Sequence, residues 1–165
     1  MKVNLKELRA GVKPFIDFDY TTDLSEEEIF FEKPFKKPVK ISGRVSDKAG
    51  IIGLKALITA ECEGNCSRCG KPVSYKKEIP CDFILVKEGI DTEDEASGVF
   101  AVADECELDD ILIPELILNM DMVTLCREDC KGLCFKCGHN LNEGDCGCDR
   151  TVNKSPFAVL KDVIQ

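Results

Sequence analysis

Val39-Lys-Ile-Ser-Gly-Arg-Val45, Ser46-Asp-Lys-Ala-Gly50, the apolar-rich run Ile51–Ala60, then Cys62-Glu-Gly-Asn-Cys66-Ser-Arg-Cys69-Gly70 form the stretch on which the fold turns. Residues 39–45 alternate apolar with polar, the period of a strand with one buried face. Ser46–Gly50 reads as a turn, and Ile51–Ala60 then pairs back as a hairpin. After the cysteine turn, Val73–Val86 alternates through Tyr75, Ile79, Phe83 and Leu85. Its Pro80 marks an edge or a bulge, because proline has no N–H for a ladder. The expectation is an antiparallel meander, or a partly open barrel, with Cys66-Ser-Arg-Cys69-Gly70 at a hairpin tip.

Outward from this core, Val3 and Leu5 alternate with polar residues, and Ile16–Tyr20 alternates after Phe15. Both read as short strands separated by a connection with Gly11 and Pro14 as turn signals, and Asp23–Glu28 suits a turn or one helical turn. Glu88–Gly98 is acidic and polar, so a loop is expected, followed by a short strand over Val99–Ala103. Leu108–Met120 carries aliphatics at helical spacing with Asp109 and Asp110 near its start; Pro114 inside it predicts a late start or a kink. Ser155-Pro156 before Phe157, Leu160 and Ile164 has the pattern of a capped amphipathic helix packing on the body. The fold class is α+β: a β-rich body over 1–125 with an acidic loop and helix, and a cysteine-rich metal-binding segment with a C-terminal helix over 126–165, packed on the same domain.

The 165 residues include 11 cysteines, and six of them fall between Cys126 and Cys148. No apolar run approaches the ~20 residues needed to span a bilayer, and the N-terminal residues lack the apolar centre of a secretory signal. A cytoplasmic location is expected. There, dense cysteine is more often a metal site than a disulfide framework, and an odd count fits pairing poorly.

Zinc is the ion expected, held by four thiolates in a tetrahedron. Two ligand sets satisfy the spacing. One is local: Cys130, Cys134 and Cys137 with Cys146 or Cys148. The other is composite, joining the Cys66/Cys69 turn to the Cys134/Cys137 turn. Cys62 and Cys126 are spare or alternative ligands, and Cys81 and Cys106 read as small buried hydrophobes. His139, the only histidine, reads as a loop residue.

The net charge of −9 argues against polyanion binding, but the acidity is local. Residues 88–125 hold 12 acidic and no basic side chains, leaving 22 basic against 19 acidic elsewhere. Lys33–Arg44 offers five cations, with Lys36, Lys37, Lys40 and Arg44 as candidates to hold phosphates and Phe35 to stack on a base. A solvated strand edge explains the same charges. No phosphate-binding loop, nucleophile elbow, dinucleotide fingerprint or HExxH is present, and a four-thiolate site is coordinatively closed, so no enzymatic activity is expected.

The run Cys130-Lys-Gly-Leu-Cys134-Phe-Lys-Cys137-Gly-His-Asn-Leu-Asn142, then Cys146-Gly-Cys148, with Cys66-Ser-Arg-Cys69 upstream, resembles the YceD family in its clostridial and bacillar form. These are the large ribosomal RNA subunit accumulation proteins. The resemblance extends to Val3-Asn-Leu-Lys-Glu-Leu8, the strand around Gly43 and Pro156-Phe-Ala-Val-Leu-Lys161. It implies a role in accumulation or processing of large-subunit ribosomal RNA, with ribosomal RNA or large-subunit assembly proteins as partners and no established catalysis. The alternative from the residues alone is a cytosolic thiol-redox or metal-delivery protein using its CxxC pairs.

Overall fold

The structure, a computed structural model, describes residues 1–87 and 98–149. Residues 88–97 of the expected acidic loop Glu88–Gly98 and the expected helix after Ser155 lie outside the described residues. The chain runs β1 (Lys2–Asn4), α1 (Lys6–Arg9), β2 (Phe15–Thr22), β3 (Val39–Lys48), β4 (Ile51–Asn65), β5 (Pro72–Lys87), β6 (Val99–Val102), β7 (Glu105–Glu107) and α2 (Leu108–Leu118). Strands β3-β4-β5 form the expected antiparallel meander, which β2 extends beside β3, and β6 adds to β5 in parallel; β1 and β7 make a separate antiparallel pair. The sheets are open, so the meander rather than the barrel is realised.

Alternation along β4 is the basis of the core. Ile52, Leu54, Ala56, Ile58, Ala60 and Cys62 are buried on one face. Register places Leu54 opposite Phe83, Ala56 opposite Cys81 and Ile58 opposite Ile79. Leu108, Ile111, Leu112 and Leu116 of α2 join the same core, with Leu5 and Leu8 from the N-terminal elements. Each such fully buried aliphatic contributes about 1.5–3 kcal/mol of transfer free energy. Cys81 and Cys106 lie in this core, where burial raises both thiols, Cys81 to about 11.

Gly43 of β3 stands opposite Phe18 of β2. A Cβ there would lie 2.7 Å from Phe18 Cζ and 2.8 Å from Ala56 Cα, and closer still to the Lys55 carbonyl oxygen. The aromatic ring covers the bare glycine, which is why this strand has no side chain at its centre.

Several local expectations are corrected. The segment after Leu5 contains a four-residue helix, α1. Strand β3 does not stop at Val45 but continues to Lys48, which pairs with Ile51 across a two-residue turn at Ala49 and Gly50. Both turn residues have positive φ, 55° and 86°. Asp47 Oδ1 accepts the Gly50 N–H at 2.8 Å, which holds the turn. Helix α2 starts at Leu108 and carries Pro114 within it, so the late start is excluded. Its first turn is fastened by Asp109, whose carboxylate accepts hydrogen bonds from the Tyr20 hydroxyl at 2.6 Å and the N-terminal ammonium at 2.7 Å. Pro80 agrees with the expected edge: β6 reaches only Ile84–Lys87, so among the described residues the outer edge of β5 at Pro80 is unpaired.

The β4–β5 hairpin outruns its neighbour, since β3 pairs with β4 only as far as Lys40 opposite Thr59. The chain between β2 and β3 covers the protruding part. Phe35 bridges to Cys62, and Pro34 accepts the Glu63 N–H at 2.9 Å. Phe35 is therefore fully buried, which overturns its expected role as a base-stacking ring. The exposed aromatics of this segment are Phe30 and Phe31. They form a tight turn in which Ile29 and Glu32 exchange both backbone hydrogen bonds, at 2.8 and 3.1 Å. Both phenylalanines have positive φ, 52° and 67°, in a turn type that normally selects Asn-Gly.

Two candidate metal centres

The hairpin tip beyond Asn65 and Pro72 forms a knuckle. The Gly70 N–H donates to the Cys66 carbonyl at 2.8 Å, and the Cys66 N–H to the Lys71 carbonyl at 2.8 Å. The same pair of bonds recurs at Cys134: Gly138 N–H to the Cys134 carbonyl, and Cys134 N–H to the His139 carbonyl, both 2.8 Å. Gly70 and Gly138 have φ of 70° and 73°, the left-handed conformation that lets the chain leave each knuckle. Backbone amides hold the Cys66 thiol down at about 6, chiefly the Cys126 N–H from outside the knuckle and then those of Arg68 and Cys69. Cys134 is likewise lowered to about 6, through the N–H groups of Cys137 and Lys136.

Eight cysteine sulfurs assemble into two groups of four, Cys66/Cys69/Cys126/Cys130 and Cys134/Cys137/Cys146/Cys148, each with all sulfurs within 4.8 Å of one another. In the first, Cys66 Sγ lies 3.8 Å from Cys130 Sγ, and Cys69 Sγ 3.6 Å from Cys126 Sγ. A Zn–S bond of about 2.3 Å sets a tetrahedral S···S edge near 3.8 Å, so the donor set and its size fit zinc. Four thiolates this close repel one another. Burial and the neighbouring sulfurs push Cys126 up to about 12, and hydrogen bonding with Cys137 and Cys146 does the same to Cys148. Only a cation at the centre of each group would let all four sulfurs ionise together.

This arrangement differs from both expected ligand sets. Cys134 and Cys137 are grouped with Cys146 and Cys148, not with Cys66 and Cys69, and Cys130 belongs to the hairpin group. Cys126 completes that first group, and its spacing from Cys130 was the available signal. Cys62 packs in the core, and His139 is exposed.

The two groups are neighbours, separated along the chain by Lys131-Gly-Leu133. Arg68, inside the first knuckle, donates to the carbonyls of Glu128 and Cys130 at 3.1 and 2.9 Å, while its own carbonyl accepts the Leu133 N–H at 3.1 Å. Lys71 pairs with Glu143 at 3.1 Å across the same seam. The first group has three buried cysteines of four, whereas the second has one buried, one exposed and two half-buried.

The candidate phosphate-binding side chains are placed together on or beside β3, but mostly with acidic partners. Lys37 pairs with Glu61 at 2.5 Å, Lys40 with Asp19 at 3.2 Å and Arg44 with Asp17 at 2.5 Å, with Arg44 also over the Phe15 ring. The Arg44 guanidinium donates to the Asp17 carboxyl and holds it below the usual carboxylate range.

The sequence profile of the large ribosomal RNA subunit accumulation protein YceD matches residues 54–163, which include both cysteine groups. The chain belongs to the YceD family. It is 27% identical over 156 residues to the chloroplastic YCED homolog 1 of Arabidopsis thaliana, covering 77% of this chain and 49% of that protein. It is 31% identical over 98 residues to an uncharacterized protein of Mycobacterium tuberculosis, covering 58% and 47%. An uncharacterized protein of Mycobacterium leprae shares 24% over 108 residues, covering 63% and 49%. The chain thus spans about half the length of these relatives. No solved structure matches it. Among the described residues, no helix is long and apolar enough to cross a membrane.

Proposed function

We propose that this YceD-family chain is a non-enzymatic cytoplasmic factor that supports accumulation or processing of large-subunit ribosomal RNA, with a structural zinc ion in each four-cysteine group. The family match across residues 54–163 carries the ribosomal part of this reading. The two sulfur tetrads carry the metal part, since all-thiolate tetrahedral sites favour zinc and leave no open position for catalysis. The first ion would tie the hairpin tip to the chain after α2, and the second would close the following loop on itself.

The test is depletion of the protein in its own cell, with measurement of the ratio of large- to small-subunit ribosomal RNA. A fallen ratio, restored by the wild-type chain but not by Cys66→Ser with Cys69→Ser, supports both parts. An unchanged ratio sinks the ribosomal reading.

The exposure of Cys137 favours a second reading, in which the second group releases its metal and acts as a thiol-redox or metal-delivery site. Rapid labelling of Cys137 in the metal-loaded protein, with loss of metal, is its signature.

A further inference from the structure

The Phe30–Phe31 turn stands at the rim of a cavity of about 150 Å³. The opposite rim is the Met120–Thr124 segment that leads from α2 to the first cysteine group, and Tyr75 and Met120 line the cavity between them. Two properties of this place have no role in the fold or the metal centres. The first is apolar exposure: Phe30 is 52% and Met122 78% exposed, and both line the cavity from its two facing rims. Two consecutive phenylalanines hold a positive-φ turn that neither ring stabilises by burial in the core. Strain of this kind persists where the surroundings impose it and recurs at binding sites.

The second property is charge. Glu32, Glu63 and Asp121 line the cavity, and neither lysine nor arginine does. Lys77 reaches Asp121 at 2.8 Å and neutralises it, and Asn65 donates to Glu32 at 3.2 Å without supplying charge. An excess of two carboxylates remains beside exposed aromatic and thioether groups. Nucleic acid phosphates would be repelled by such a rim, whereas a lysine or arginine side chain meets each feature in turn. Its methylene stem lies along Met120 and Tyr75, and its cationic head meets the carboxylates or an aromatic face.

We propose that the groove between the Ile29–Glu32 turn and the Met120–Thr124 segment is a docking site for an extended lysine- or arginine-rich segment of a protein partner. Phe30 and Met122 grip its apolar side chains, and Glu32 receives a cation. This goes beyond the ribosomal reading and does not depend on it.

The test uses the zinc-loaded chain, a labelled peptide alternating lysine with leucine, and a labelled single-stranded polyuridylate of similar length. The peptide is expected to bind, and Glu32→Lys and Phe30→Ser are each expected to weaken it roughly tenfold while the cooperative thermal transition persists. Glu78→Lys, on the outer sheet face where Glu78 pairs with Lys76, is the control and should leave the affinity within about twofold. No peptide binding overturns the proposal. Equal weakening by Glu78→Lys also overturns it, since the attraction is then only that of an acidic protein for a polycation. Binding of polyuridylate that Phe30→Ser abolishes would make the turn a base-stacking platform and overturn it as well.

Discussion

Asn142, in the loop of the second cysteine group, donates its Nδ2 hydrogen to Cys130 Sγ of the first at 3.3 Å. Its Oδ1 accepts from the Lys131 N–H at 2.9 Å and from Arg127 at 2.7 Å, so one amide side chain spans the seam between the groups. A hydrogen bond to a thiolate disperses its charge and fixes its direction. Removal of such a partner to a metal ligand typically lowers metal affinity by about 10–100-fold. Asn142→Ala should therefore weaken zinc at the first group, although Asn142 is not a ligand. Competition with a chromogenic chelator reads this directly, and unchanged affinity would show that the amide matters only to the loop.

Metal should leave the groups in order. The second group is the more exposed, so a chelator should remove its ion first, and Cys134→Ser with Cys137→Ser should eliminate that fast phase while leaving one ion per chain. Cys66→Ser with Cys69→Ser should eliminate the slow phase instead. Loss of both ions from either variant would mean that neither group forms alone.

The metal-free protein should have a pH optimum on the alkaline side. Cys66 and Cys134 fall from an ordinary value near 9 to about 6 in the folded chain. The unfolded chain therefore binds more protons between pH about 6 and 9, and stability rises with pH across that window. Cys126 and Cys148, pushed up to about 12, reverse the slope above pH 9. Thermal midpoints of the metal-free chain should pass through a maximum near pH 9, and a flat profile from pH 6 to 9 would contradict the amide-stabilised thiolates.

Two glycines in the sheet should respond unequally to the same change. Gly43→Ala places a methyl against the Lys55 carbonyl and the Phe18 ring, and overpacking of this kind costs about 1–3 kcal/mol. At Gly53 the nearest atom to a new Cβ is 4.0 Å away, so Gly53→Ala should be close to neutral. Urea unfolding of the two variants compares them within one sheet.

Replacing Phe30 with Asn and Phe31 with Gly should stabilise the chain. Residues outside glycine held at such φ values cost of the order of 1–3 kcal/mol each, and Asn-Gly adopts this turn without that cost. The expected rise is roughly 1–2 kcal/mol by urea unfolding. A fall would mean that half-exposed Phe30 contributes more by packing than the turn loses by strain.

The spacing of residues determined whatever could be settled within a few positions of the chain. Period-two alternation selected the meander and its buried face, because a strand exposes alternate side chains to opposite sides. Each CxxCG run specified its own knuckle, because cysteine, glycine and the carbonyl that accepts the glycine N–H lie within five residues. Tertiary structure alone decided which knuckle meets which other cysteines. Cys66 and Cys130 are 64 positions apart, and their meeting depends on where α2 delivers the chain after leaving the core. Four cysteines from Cys134 to Cys148 can close on themselves, which leaves Cys126 and Cys130 to the hairpin. Burial of Phe35 and exposure of Phe31 were hidden for the same reason. Both are phenylalanines in one connection, and only the projection of the β4–β5 hairpin beyond β3 creates a surface for Phe35 to cover.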